Sequence, residues 1–353
     1  MRIQKSDLSS AIESIKSIVS KKSTISAIQG ILLKEGYLTA TNHEITVKAK
    51  LENASDESFI IPQKAFDLIK NLPDGEMEIS ADAGHVVKIA FGSINNKFQS
   101  LSPELFNTGK ESANENCYDM TVDSEELKEC VRNVLYAVSK RNPGGKMGAL
   151  CMSCKDGYLN FTGMDGHMLA WDRMAFHGDK CEVLIPRGTA EKLLQLDFVG
   201  EVQIKYRHSS TVFLTDKYII ETRIIDGTYF LYKKMFEDML IHAAVDRKCL
   251  MDAVNRASMC FDTDSRIPIR LQFEADNIRI YLETKNAEYS EVVALDRAVE
   301  KPVLIAFDSR LLMETLKAFD TEKICLNLLS GKNPMRVYAE GKELQSLVLP
   351  VCI

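Results

Sequence analysis

Residues 6–20 read SDLSSAIESIKSIVS, residues 124–139 read SEELKECVRNVLYAVS, and residues 247–258 read RKCLMDAVNRAS. In each, apolar side chains recur at i, i+3, i+4 and i+7, the stripe of an amphipathic helix with one buried face. The first stripe is Leu8, Ala11, Ile12 and Ile15; the second is Leu127, Cys130, Val131 and Val134; the third is Leu250, Ala253, Val254 and Ala257. Ser6, Asp123 or Ser124, and Asp246 stand where a side chain can cap the first free backbone N–H groups. The leading leucines lie about 120 residues apart, and three such lengths account for a chain of 353 residues. Self-similarity at that spacing marks a repeated structural unit.

The segments C-terminal to these helices repeat as well. GILLKEGYLTATNHEITVKAKL (30–51), GALCMSCKDGYLNFTGMDGHMLAWDRM (148–174) and IPIRLQFEADNIRIYLETKNAEYSEVVAL (267–295) read as strand pairs or triplets, with turn signals such as Asp156-Gly157. A strand running into a second short helix comes next: SFIIPQKAFDLIKNL (58–72), EVLIPRGTAEKLLQL (182–196) and PVLIAFDSRLLMETL (302–316). Closing strands end each unit, at 85–101, 210–225 and 335–351. The expected fold is α+β: three repeated domains, 1–116, 117–238 and 239–353, each with two helices packed on antiparallel sheet.

With 45% hydrophobic and 27% charged residues, the composition excludes a disordered or low-complexity chain. No apolar run approaches the roughly 18 residues of a membrane span. The start, MRIQKSDLSS, lacks a signal-peptide apolar core, so a soluble cytoplasmic protein is expected. Nine scattered cysteines then read as reduced thiols. Cys151 and Cys154 have CxxC spacing but no second pair to complete a metal site, and they fall in a strand.

Motifs for catalysis are few. Gly144-Gly145-Lys146 lacks the upstream glycine of a phosphate loop, and Met147 stands where Ser or Thr would hold magnesium. Asp262 and Asp264 have no third carboxylate at a useful spacing. Asp165-Gly166-His167 lies between two strands and reads as a hairpin turn. Neither a cofactor nor a metal is expected. The remaining enzyme reading would use Cys151/Cys154 or Asp165/His167, and a further alternative is a repeat scaffold that binds peptides.

Charge is distributed unevenly. The six helical segments together carry +5, so the rest of a chain whose net charge is −6 carries −11. A cationic helical face suits the phosphate backbone of duplex DNA, while an acidic exterior repels it.

The threefold repeat resembles the bacterial DNA sliding clamp, the beta subunit of DNA polymerase III. The marks are MDGHMLA (164–170), IIDGTYFLYKKMF (224–236) and LVLPVCI (347–353). Met164, Met168, the Tyr229-Phe230-Leu231 stretch and Cys352 depart from the usual TDGHRLA-like, IDGxFPxY-like and MPxR-like forms. The resemblance implies a ring-shaped head-to-tail homodimer that encircles double-stranded DNA without reading its sequence. Such a ring tethers the replicative polymerase, clamp loader and repair proteins through short linear motifs, and has no catalytic activity.

It also implies residues. DNA contacts are expected at Lys22, Lys140, Arg141, Lys146 and Arg187. A groove for partner peptides is expected from Gly166, His167, Met168 and Leu169, with Phe230, Lys234 and Met235, and the tail Leu347, Val348, Leu349, Pro350 and Val351. Ring closure is expected at Lys64, Phe98, Cys260 and Phe261.

Overall fold

The same order of elements, β-α-β-β-β-β-α-β-β-β, occurs three times in the computed structural model. It describes every residue except 21–24, 53–56, 108–117, 143, 208, 238, 260–267, 284–287 and 352–353. Lys22, Cys260, Phe261, Asp262, Asp264 and Cys352 therefore lie outside the described residues.

The first repeat comprises β1 (Arg2–Gln4), α1 (Lys5–Ile15), β2 (Gly30–Lys34), β3 (Tyr37–Thr41), β4 (Ile45–Lys50), β5 (Phe59–Pro62), α2 (Gln63–Asn71), β6 (Glu76–Ala81), β7 (Val86–Phe91) and β8 (Ile94–Gln99). The second comprises β9 (Tyr118–Asp123), α3 (Ser124–Leu135), β10 (Ala149–Lys155), β11 (Tyr158–Met164), β12 (Met168–Ala175), β13 (Cys181–Pro186), α4 (Arg187–Gln195), β14 (Glu201–Tyr206), β15 (Ser210–Leu214) and β16 (Tyr218–Arg223). The third comprises β17 (Ile241–Asp246), α5 (Arg247–Met259), β18 (Ile269–Phe273), β19 (Asn277–Glu283), β20 (Glu288–Arg297), β21 (Val303–Phe307), α6 (Ser309–Lys317), β22 (Lys323–Leu328), β23 (Met335–Tyr338) and β24 (Gln345–Val348).

The helix stripes are buried as their spacing predicts. Leu8, Ile12 and Ile15 of α1, and Leu250, Ala253, Val254 and Ala257 of α5, are almost fully covered. Helix α5 lies beside α6, whose Leu312 and Leu316 join the same cluster with Phe273 and Phe307. Truncating one such leucine to alanine costs about 3 kcal/mol, because the close-packed core cannot collapse into the void.

The caps divide. The Asp123 carboxylate accepts the N–H of Glu125 at 2.9 Å, and that of Asp246 accepts the N–H of Cys249 at 2.7 Å. Ser6 does not cap: α1 already begins at Lys5, its N-cap Gln4 makes no side-chain cap bond, and the Ser6 hydroxyl donates to Asp7. At Asp156-Gly157 both residues have positive φ, 57° and 80°, as a two-residue hairpin requires.

Strand pairing crosses the repeats. In one compact unit, residues 1–125 with 192–224, the eight-stranded sheet runs β5-β2-β3-β4-β16-β15-β14-β9. In the other, residues 126–191 with 225 onward, the order is β13-β10-β11-β12-β24-β23-β22-β17-β20-β19-β18-β21. The compact division thus follows the sheets and cuts through the middle repeat, because β4 takes β16 as its neighbour and β12 takes β24.

A four-stranded sheet, β1-β6-β7-β8, completes the first unit and leaves β8 at its edge. Strand β20 pairs with β19 along 288–294 and meets β17 only at Leu295 and Arg297. Among the described residues, the second edge of 288–294 has no partner strand.

Candidate functional site

The turn between β11 and β12 starts the site. Asp165 Oδ1 accepts the backbone N–H groups of His167 and Met168, both at 2.8 Å, and Gly166 takes φ 90°. That conformation is open to glycine because it has no Cβ. The tail is tied to this turn. Met168 and Leu169 pair with Val348 and Leu347, the Leu349 N–H donates to the His167 carbonyl at 2.9 Å, and the Val351 N–H donates to Ala306 at 2.8 Å.

Between the turn, the tail, the segment after α3 and the first turns of α6 lies a cavity of about 400 Å³. Met168 is buried there, its sulfur 3.8 Å from the Thr315 hydroxyl. Tyr136 donates to Ser346 Oγ at 2.7 Å, and burial pushes its phenol up to about 12, so it stays protonated. Val138, Leu311, Leu349, Pro350 and Val351 supply apolar lining. Lys140, Arg141, His167, Asp308, Arg310 and Glu314 supply the polar part. Asp308 caps α6, taking the Arg310 N–H at 2.9 Å and its guanidinium at 3.0 Å.

The Asp165 carboxylate is thus occupied by backbone N–H groups, and no bond links it to the His167 ring. Cys151 and Cys154 sit three residues apart on β10, an odd spacing that sends their side chains to opposite faces. Burial raises both thiols, so neither is a ready thiolate. The arrangement suits anchoring of an apolar side chain with polar groups around it.

The other expected groove residues divide. Leu169 and Leu347 are buried beside Tyr229, Tyr232 and Phe236, and Val348 is buried opposite Met168. Phe230 packs on that aromatic cluster, its ring 5.2 Å from that of Tyr229. Gly166, Lys234 and Met235 are exposed, Met235 by 47%, and neighbouring Leu231 is 87% exposed. Phe230, Lys234 and Met235 are not among the residues that line the cavity. Tyr136, Asp308, Arg310, Leu311 and Glu314, which sequence reasoning missed, do line it. Only the LIAFDSRLLMETL repeat match hinted at α6, with nothing to say which face it turns to the tail.

The expected DNA contacts divide too. Lys140 and Arg141 are exposed at the cavity. Lys146 donates to the Thr228 carbonyl at 2.7 Å. Arg187 turns inward: its guanidinium donates to the Leu135 carbonyl at 2.7 Å, to the Val138 carbonyl, and to Glu191 at 2.8 Å. Lys192, another cation of the same helix, is buried against the Ser14 carbonyl and Ser17 Oγ. Burial lowers its pKa. At the expected closure sites, Phe98 lies half-buried on β8, and Lys64 is exposed on α2.

Two family models match the chain: DNA polymerase III beta subunit, N-terminal domain, over residues 1–108, and C-terminal domain, over residues 237–351. Together they span more than half of it. The chain belongs to the DNA polymerase III beta sliding clamp family. The beta sliding clamp of Halalkalibacterium halodurans is 22% identical over 348 residues, spanning 92% of this chain and 91% of its own. That of Chlamydia pneumoniae is 21% identical over 345 residues, with 94% and 93% covered.

Among solved structures, the Pseudomonas aeruginosa sliding clamp bound to griselimycin superposes with a TM-score of 0.93 at 20% identity, covering 100% of this chain and 99% of that one. The Thermotoga maritima beta subunit gives 0.89 at 20% identity, with the same coverage. These likenesses establish the three-repeat clamp fold for this chain. Membership makes it a sliding clamp, a processivity factor of DNA polymerase III that does no chemistry of its own.

Proposed function

We propose that two copies of this chain close head to tail into a ring around duplex DNA, in the cytoplasm, and hold the polymerase and other partners by short segments seated in the tail cavity. Strand pairing carries this reading. Inside the chain, the last strand of the second repeat pairs with β4 of the first, and the last strand of the third pairs with β12 of the second. The strands left over are the last strand of the first repeat, β8, and the strand equivalent to β4 in the third, β20. Pairing β8 of one copy with β20 of another applies the same rule a third time. It also covers two edges that would otherwise template aggregation. The contact joins unlike surfaces and closes if the rotation suits.

On this reading the three domains are 1–116, 117–238 and 239–353. Phe98 lies on the closing edge, with Lys64, Cys260 and Phe261 assigned to the same interface. Lys22, Lys140, Arg141 and Lys146 are the cations assigned to phosphate contacts. Arg187 joins them only if it leaves its carbonyl partners.

Mass in solution tests the first step: a species of twice 39.7 kDa is expected, and Lys97→Pro, which removes an N–H from the free side of β8 because Lys97 faces Lys88 in a non-hydrogen-bonded pair, should yield monomer. Retention on closed circular DNA with rapid loss from linear DNA is the expected sign of encirclement. Equal, rapid loss from both would overturn it.

A further inference from the structure

The turn that starts the tail cavity has a copy in the first compact unit. Asn42 Oδ1 accepts the backbone N–H groups of Glu44 and Ile45, both at 3.0 Å, as Asp165 does for His167 and Met168. Thr222 pairs with Ile45 as Val348 pairs with Met168, and the Arg223 N–H donates to the Glu44 carbonyl at 3.0 Å, as that of Leu349 does to His167. The backbone frame for seating a partner segment therefore occurs twice in the chain.

The side chains beneath the two frames differ. Tyr136 follows the buried stripe of α3 by two residues, and Thr315 immediately precedes the buried Leu316 of α6. Ser17 stands at the same offset from the stripe of α1, and Lys192 at the same offset from the buried Leu193 of α4. Each pair joins one large and one small side chain, but in opposite order. At the tail the large one is a phenol that bonds Ser346 and lines the cavity. In the first unit it is an ammonium, 6% exposed, that donates to the Ser14 carbonyl and to Ser17 Oγ. Both acceptors are neutral. An apolar side chain seated there would lie against a buried charge that no bonded carboxylate offsets.

From these pairs we infer that Lys192 closes the first frame to partner segments, and that the exchange of Tyr136/Thr315 for Ser17/Lys192 confines docking to the tail. The inference rests on the peptide-groove reading and extends it to a second place in the chain. Lys192 works by making the wrong seat costly for an apolar anchor, which separates two otherwise similar frames without any change in the backbone.

Exchanging the pairs tests this on the full-length protein, with stoichiometry read by native mass spectrometry and affinity by fluorescence anisotropy. The probe is a fluorescein-labelled hexapeptide with one Leu and one Phe among serines. One peptide per chain is expected for the unaltered protein, and none after Leu349→Asp, which puts a charge in the tail cavity. The Ser17→Tyr, Lys192→Thr double variant should bind a second peptide, and should keep one when Leu349→Asp is added. The reciprocal Tyr136→Ser, Thr315→Lys variant should bind the peptide about tenfold more weakly while still showing a cooperative melt. A Ser17→Tyr, Lys192→Thr protein that folds and binds a single peptide overturns the inference and leaves the groove reading standing. Full affinity in the reciprocal variant does the same, and decides alone if the first variant does not fold. Two peptides on the unaltered protein also overturn the inference, because the first frame would then be open. No binding to the unaltered protein overturns the groove reading itself.

Discussion

Two pairs of cations, Lys140/Arg141 and Arg187/Lys192, differ in a way their sequence neighbourhoods do not announce. All four lie in or just after helices, and all four counted equally towards a cationic helical face. In the structure the first pair is exposed at a cavity, while the second is drawn inward onto helix-end carbonyls. The last carbonyls of a helix have no partner within it and carry partial negative charge, so a nearby guanidinium or ammonium is held there. A cation count is therefore an upper bound on what DNA can meet.

The contrast is most exposed to test at Arg187. Arg187→Ala removes charged donors from Leu135 and Val138 and should cost about 3 kcal/mol in urea unfolding. A loss below about 0.5 kcal/mol, the usual scatter of surface changes, would place it with the exposed pair.

Asp172 supplies the anionic counterpart of the buried cations. It is buried, takes a bond from Asn133 Nδ2 at 2.8 Å, and has its pKa raised first by that burial. A carboxyl whose pKa is raised in the folded state costs stability above that pKa, and the cost fades as pH falls towards the unfolded value. Asp172→Asn is expected to gain up to about 1 kcal/mol at pH 7, and the gain should vanish on acidification. Thermal unfolding of both proteins across that range measures it. A gain that grows on acidification would contradict the burial argument.

Smallest of all, Lys140→Ala and Arg141→Ala should each change stability by less than about 0.5 kcal/mol, whatever they do to binding. Larger losses in the same melts would mean that these side chains hold structure as Arg187 does.

Periodicity made most of the fold legible. The Leu8, Leu127 and Leu250 stripes mark α1, α3 and α5, and the quoted strand segments hold their strands to within two residues, while β1, β6, β9, β14, β17 and β22 fall in none of them. The Ser6 cap failed because a single good capping residue cannot compete with a helix that starts one residue earlier. The site was half legible. The turn at 165–168 and the tail at 349–351 meet as the resemblance implied, but Phe230, Lys234 and Met235 lie outside the cavity and α6 enters it unannounced. Backbone pairing of Leu349 with His167 brings those parts together across 182 residues of chain, and no local pattern encodes that pairing.

The amino-acid order by itself determined the element types, their threefold order and the faces they bury, because 3.6- and 2-residue periods are local properties of the backbone. Tertiary structure alone decided which strand edges are filled, which cations are held at helix ends, and that the tail closes a cavity against α6. Each of these depends on a partner far away in sequence, whose distance and direction only the packed chain sets.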